Sequence, residues 1–312
     1  MILTPSKRRA AFPGQGTLRS AGRFAPPFTT AYDNRDMNLD ALPHTVLLIL
    51  AEFSVGSLVA LLIAEARGMV AASFVKLSAA VVVIGAALAV LAAFNTGSAV
   101  LEGYRLEQGL FGPVRGALVA FLALTVPYAW FVLREQRHRS LPMGALAAAA
   151  GVVALGLLAY QVSPPTWSFA GTLLSLLVGA LALGLVNEAM ILGHWYLVSP
   201  KLPGRPLQEL TFLLLAVLAL QALLLILNAA IPAREAPESA ALLAGSLASN
   251  PAFWLRVGVG LVFPIALAYM AWRSSLERAM MSATGLLYIA VGAVFVGELL
   301  ARGLLFVTGA PV

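Results

Sequence analysis

Long stretches without a single charged residue are what most constrain this chain. Leu77–Leu101, Gly116–Leu133, Ser140–Asn187, Leu210–Ala233, Val257–Trp272 and Ala279–Gly297 contain no Asp, Glu, Lys or Arg. A helix crosses the hydrocarbon of a bilayer with about 20 apolar residues, and in lipid the backbone must satisfy its own hydrogen bonds. The runs lack the strict alternation of a transmembrane barrel strand, so helices are the reading. Ser140–Asn187 is too long for one span and is broken at Pro164, Pro165, Thr166 and Trp167. Leu42–Ala64 adds a span interrupted by Glu52 alone. The expectation is an all-α integral membrane protein, a bundle of eight transmembrane helices. They are predicted near 42–65, 73–95, 112–133, 143–162, 168–197, 207–231, 252–272 and 279–307.

Composition agrees. Of 312 residues, 60% are hydrophobic and 11% charged, with mean hydropathy +0.90, whereas soluble domains carry about 25% charge. That excludes a soluble enzyme and a nucleic-acid-binding domain, despite the net charge of +6. Zero Cys excludes disulfides and Cys-held zinc or iron–sulfur centres within the chain. The scatter of the three His argues against bis-His haem and, with 8 Met present, leaves His/Met ligation open; no Walker loop, H-E-x-x-H or G-x-S-x-G occurs. The expected domains are a basic N-terminal tail over 1–41, read as mobile, and the eight-helix domain over 42–312. Met37, just before the first span, is a candidate start. Ala241–Ser249 is a candidate interfacial helix.

Loops one, three, five and seven hold nine basic residues, and loops two, four and six hold four. Short basic loops face the cytoplasm. The expectation is a multi-pass protein of the plasma (inner) membrane with both termini outside. The tail, with six basic residues, opposes this unless the chain starts at Met37.

Charges inside spans are costly and face protein or water. Glu52 heads the stripe Glu52, Gly56, Ala60, Ala64, whose small residues admit a neighbouring helix. It reads as a proton carrier, a ligand to a quinone-type head group, or a buried carboxyl that only packs helices. Glu188 repeats the pattern with Ala180 and Gly184. Asn187 and His194 share another face, and Glu188, His194 and Asn187 form a candidate proton path near the cytoplasmic side. Glu298 and Arg302 are an i, i+4 pair in the favourable order, placed towards the outer boundary, where Arg302 could also snorkel. Arg115 and Arg256 read as interface anchors at the outer helix ends. Arg256 and His44 lie near enough to the outer side to join a head-group site. Glu52 and Gln221 are central, and Lys76 can snorkel.

Gly297-Glu298-Leu299-Leu300-Ala301-Arg302-Gly303-Leu304-Leu305-Phe306 resembles the Gly-Glu…Gly-Arg…Phe ending of membrane anchors in the dimethyl sulfoxide reductase family, which are similar to polysulfide-reductase membrane subunits. The match covers the last helix. The Leu-Gly-x-Pro signature that often follows helix two is replaced by Phe94-Asn95-Thr96-Gly97-Ser98. The resemblance implies a subunit of eight or more helices without haem or iron–sulfur cluster of its own. It would exchange electrons between a membrane quinone such as menaquinone and a peripheral iron–sulfur subunit, with Glu298 and Arg302 beside the quinone. The alternatives are a small-solute or proton transporter and a structural membrane subunit.

Overall fold

A computed structural model describes residues 41–97, 101, 104–199, 202–235 and 247–312. The tail over 1–40 and most of the candidate interfacial helix lie outside the described residues. Only Leu247–Ser249 of that helix is described, as a single 3-10 turn.

Eight helices are long and apolar enough to span a membrane, and no β-strand occurs among the described residues. They are α1 (Leu42–Arg67), α2 (Ala72–Asn95), α3 (Phe111–Leu133), α4 (Arg137–Val162), α5 (Phe169–Val198), α6 (Arg205–Ala230), α7 (Pro251–Leu276) and α8 (Met280–Thr308). Start signals explain several ends. Pro43, Pro206 and Pro251 occupy first-turn positions, where a missing N–H costs nothing. Ser168 caps α5 by accepting from the Gly171 N–H at 2.9 Å, just after the Pro-Pro break. Gly68 and Gly309 close α1 and α8 with positive φ.

Helix α4 begins at Arg137, six residues before its expected start. Arg137 holds the two helix ends together, its Nη2 donating to the carbonyl of Ala66 at 2.7 Å. A free carbonyl at the end of α1 thereby gains a cation, which suits the helix dipole.

The helices alternate in direction. One face of the bundle carries the start of α1 and the end of α8 and is called the first face; the other is the second face. Helices α1–α4 pack in a ring, as do α5–α8, and the rings meet chiefly along α1 and α5. Those two helices run parallel and are the most buried of the eight. Their contact is backbone-close. A Cβ on Gly56 would stand 1.7 Å from the carbonyl oxygen of Ala180, and one on Gly184 would stand 2.0 Å from the carbonyl carbon of Gly56. The small-residue stripes on both helices therefore meet each other.

Helix α7 contains a π-helical segment, Gly258–Val262. Pro264 has no N–H, so the Gly260 carbonyl four residues earlier cannot be satisfied in α-helical fashion. Beside this segment Gly260 abuts Gly297 of α8, and a Cβ on Gly260 would stand 2.4 Å from the Gly297 Cα.

Candidate functional site

Glu52, Glu298, Arg302 and Arg256 form one buried cluster. Three are fully buried and Arg256 is 1% exposed. They lie five to ten residues in from the first-face helix ends, about 8–15 Å of helix.

Arg302 is the hub. Its Nε donates to Glu52 Oε2 at 3.1 Å, and its Nη1 donates to Ser175 Oγ at 3.1 Å. Three oxygens crowd its Nη2: Glu52 Oε1 at 2.7 Å, Glu298 Oε2 at 3.0 Å and the Ser175 carbonyl at 3.2 Å. A guanidinium Nη carries two hydrogens, so three acceptors exceed its capacity. Glu52 Oε1 is the one left as an ion-pair contact without an aligned hydrogen bond.

Arg256 completes the charge balance. Its Nη2 donates to Glu298 Oε1 at 3.3 Å, and its Nη1 donates to the Gly260 carbonyl at 2.9 Å. The acceptor that Pro264 leaves free is thus taken by the guanidinium. Gln221 Nε2 donates to the same Glu298 oxygen at 2.5 Å. With all four charges present the cluster is neutral, as a low-dielectric interior requires.

Glycines make the room. A Cβ on Gly179 would sit 2.4 Å from Arg302 Nη2 and 2.6 Å from Glu298 Oε2, and one on Gly297 would sit 2.8 Å from Arg256 Nη1. Three polar atoms in and beside the cluster have no hydrogen-bond partner among the described residues: Arg256 Nε, Gln221 Oε1 and Glu52 Oε1.

The structure departs from the sequence-based expectation at Arg302, at Arg256 and in the level of Glu298. Arg302 does not snorkel: its guanidinium is spent on Glu52, Glu298 and Ser175. Arg256 is no interface anchor, because Glu298 and Gly260 hold it inside. Glu52 and the Glu298–Arg302 pair share one level, since Glu52 is ten residues from the start of α1 and Glu298 ten from the end of α8. Arg115 does fit a helix-end role. Its Nε and Nη2 donate to the Ala93 and Thr96 carbonyls that end α2, at 2.9 and 2.7 Å.

His44 is buried near the first face, eight residues from Glu52 and edge-on to Phe111 and Phe306 at 6.3 and 6.1 Å. Neither ring nitrogen has a hydrogen-bond partner among the described residues. No described hydrogen bond or ion pair joins it to the cluster.

The expected proton path divides. Glu188 is fully buried on α5. Its Oε1 accepts from Asn187 Nδ2 at 3.1 Å, and Asn187 Nδ2 also donates to Ser57 Oγ of α1 at 3.4 Å. The Ser78 hydroxyl adjoins the carboxyl, yet neither it nor Glu188 Oε2 makes an aligned hydrogen bond. His194 stands apart, exposed at the end of α5 with Nδ1 2.9 Å from the Tyr288 hydroxyl.

Residues outside the expected set also matter. Gln221 attracted notice only for its depth, and Ser175 and Gly179 carried no signal. Glu65, two residues from the end of α1 and the last residue of the expected first helix, had no role assigned from sequence. It is buried, accepts from the Tyr128 hydroxyl at 2.9 Å and accepts from the Ser140 hydroxyl.

Two groups beyond the spans respond to their surroundings. A hydrogen bond from Lys76 Nζ, 2.7 Å away, and its charge hold the Glu135 carboxyl below the usual carboxylate range. Burial raises the Tyr104 phenol, whose hydroxyl donates to the Val162 carbonyl at 2.5 Å.

No family model matches the chain, and no curated protein matches it either.

Proposed function

We propose that the chain is a quinone- or quinol-interacting membrane subunit that exchanges electrons with a peripheral iron–sulfur partner. The observation that carries this is the neutral Glu52–Arg302–Glu298–Arg256 cluster with spare hydrogen-bonding atoms. A quinone head group offers two carbonyl oxygens that need donors, and a quinol offers two hydroxyls that need acceptors. The cluster leaves one donor and two acceptors without a hydrogen bond among the described residues, the Nε–H of Arg256 and the Oε1 atoms of Gln221 and Glu52. That donor set fits the group. The last-helix resemblance to the dimethyl sulfoxide reductase and polysulfide-reductase anchors supports the same reading.

A bound quinone supplies two-electron, two-proton chemistry at its oxygens. The residues of this chain bind and protonate. Arg256 Nε orients a carbonyl, and Gln221 Oε1 accepts from a hydroxyl. Glu52 holds the exchangeable proton at Oε1, the oxygen that Arg302 cannot fully satisfy. Arg302 keeps both carboxylates in place. Orientation belongs to the same proposal: the second face is cytoplasmic, the termini are outside, and the membrane is the plasma (inner) membrane.

The test is purification from the native membrane, followed by identification of what accompanies the chain and by a quinol-oxidation assay. An iron–sulfur protein should co-purify, and Arg256→Lys should raise KM for quinol by about tenfold or more, the loss of one charge-assisted hydrogen bond. Full activity of the isolated chain, or an unchanged KM in Arg256→Lys, overturns the proposal. A second reading, proton or small-solute transport, is favoured by the unsatisfied oxygen of Glu188 deep in the bundle. It predicts flux in liposomes from the chain alone.

A further inference from the structure

A cleft of about 210 Å³ enters the bundle from the second face. It is lined by Gly68 and Val75 on one side and by Val132, Glu135, Arg137 and Ser140 on the other, and it reaches Glu65. Glu65 is 6% exposed, while the two hydroxyls bonded to it, on Tyr128 and Ser140, are fully buried. The carboxyl thus has one side towards the cleft and the other towards the core. Deeper in the bundle, on α5, is the fully buried carboxyl of Glu188, whose Oε2 has no aligned partner among the described residues.

We infer that this cleft is the mouth of a proton path, with Glu65 as its loading carboxyl and Tyr128 as the relay to Glu188. The inference rests on the reading of the buried cluster as a proton-exchanging site and adds the route by which protons arrive.

The step moves protons and no electrons. A hydronium ion in the cleft breaks an O–H bond as a Glu65 oxygen forms one. The Tyr128 hydroxyl, which donates to Glu65 in the structure, must then turn inward, so that its oxygen takes the Glu65 proton while its own O–H proton leaves in the direction of Glu188. Glu65 returns to a carboxylate, the Tyr128 oxygen keeps one O–H bond, the hydronium ion is left as water and Glu188 ends protonated. Ser140 holds Glu65 in place throughout. Further inward, Asn187 joins Glu188 to Ser57. From there α1 leads about 7.5 Å back along its axis to Glu52, five residues away.

The charged groups that face Glu65 suit the task. Arg137 of α4 is beside the mouth but commits its guanidinium to the Ala66 carbonyl. Glu135, from the turn before α4, commits its carboxylate to Lys76 of α2 at 2.7 Å. Neither forms an ion pair with Glu65 among the described contacts. Arg67 of α1, next door in sequence, turns away to Glu209 at 3.3 Å.

Two measurements on the purified full-length protein, with any subunits that accompany it, test the path. A water-soluble carbodiimide applied from the second face of sealed vesicles should modify Glu65 of the unmutated chain. The chain has no cysteine, so Glu65→Cys with an impermeant thiol reagent is a second probe of access. No adduct by either route overturns the inference. Proton uptake from the second face while the iron–sulfur partner reduces quinone should fall by about tenfold or more in Glu65→Gln and in Tyr128→Phe, as loss of a positioned proton-transfer group implies. KM for quinol should not move. Unchanged uptake in both variants overturns the path and leaves the quinone reading intact. If quinol is not oxidised but gradient-driven proton influx depends on Glu65 and Tyr128, the path stands and the quinone reading falls. If neither quinol nor protons are handled, both fall.

Discussion

Arg302 is asked to satisfy two carboxylates and a serine with a single guanidinium. Removing it should therefore cost far more than one surface ion pair would. In Arg302→Gln, Glu52 and Glu298 face each other with only Arg256 to balance them. Breaking a buried pair from one side costs about 3–5 kcal/mol, and detergent-solubilised Arg302→Gln should lose that much stability. Adding Glu298→Gln removes the surplus negative charge and leaves Glu52 with Arg256. The double variant should recover part of the loss, with a coupling energy of at least about 1 kcal/mol. Simple additivity in thermal or denaturant unfolding would refute the shared network. Half of this site was legible in the sequence. The Glu298–Arg302 spacing gave the pair, and the stripe behind Glu52 gave a carboxyl facing protein. Their junction was not legible, because it depends on how α1 and α8 approach across a sequence gap of 250 residues. Depth estimated separately for each helix set Glu52 and Glu298 at different levels. Arg256 was weighed mainly as an anchor because it sits close to the start of its helix, and nothing local says that a neighbouring carboxylate will draw it inward.

At the level of elements, two glycine contacts fix the site: Gly56 with Ala180 and Gly184, and Gly260 with Gly297. The eight helices themselves were legible from charge-free runs, because length and hydropathy are properties of one segment at a time. The early start of α4 was not, since it depends on Arg137 finding the end of α1. The π segment was hidden as well, although Pro264 was a cue that the hydrogen-bond pattern must break. Gly297→Ala places a methyl carbon 2.6 Å from the Gly260 Cα and 2.8 Å from Arg256 Nη1. Backbone cannot yield as a side chain does, so α7 and α8 must part. The expected cost is about 1–3 kcal/mol, together with loss of quinol affinity. An unshifted melting temperature would contradict the close crossing. Gly68→Ala acts at the opposite face. Its φ of 68° disfavours a side chain, and the new Cβ would stand 2.8 Å from Arg137 Nη1. A loss of about 1 kcal/mol is expected from the backbone alone. Displacement of Arg137 from the Ala66 carbonyl should also speed carbodiimide labelling at Glu65. Labelling as slow as in the unmutated chain would mean that Arg137 does not restrict the mouth.

Over the whole molecule, polarity is divided between the two faces, and burial of Arg256 sharpens the division. Counted from sequence, four basic residues belong to the first-face loops. Arg256 is neutralised in the core, which leaves Arg105, Arg115 and Arg234 among the loop residues on that side. The second face keeps Arg67, Lys76, Arg134, Arg137, Arg139, Arg205, Arg273 and Arg278, with Lys201 in the same loop set. Positive charge in short loops resists translocation, so the second face should stay in the cytoplasm. The proton mouth then opens to the cytoplasm, and the buried cluster lies nearer the outside. Uptake of protons from one side to a redox site nearer the other moves charge across the membrane, at about 2.3 kcal/mol per charge per 100 mV. A reporter fused after Val312 decides the orientation. Alkaline phosphatase there should be active and a green fluorescent protein dark, whereas a reporter inserted between Arg134 and Arg137 should behave in the opposite way. Fluorescence from the C-terminal fusion would invert the topology and place the mouth outside. The same fusions on a chain begun at Met37 separate the tail's contribution: six basic residues precede that point, and if they compete with the loops, their removal should make a mixed topology uniform.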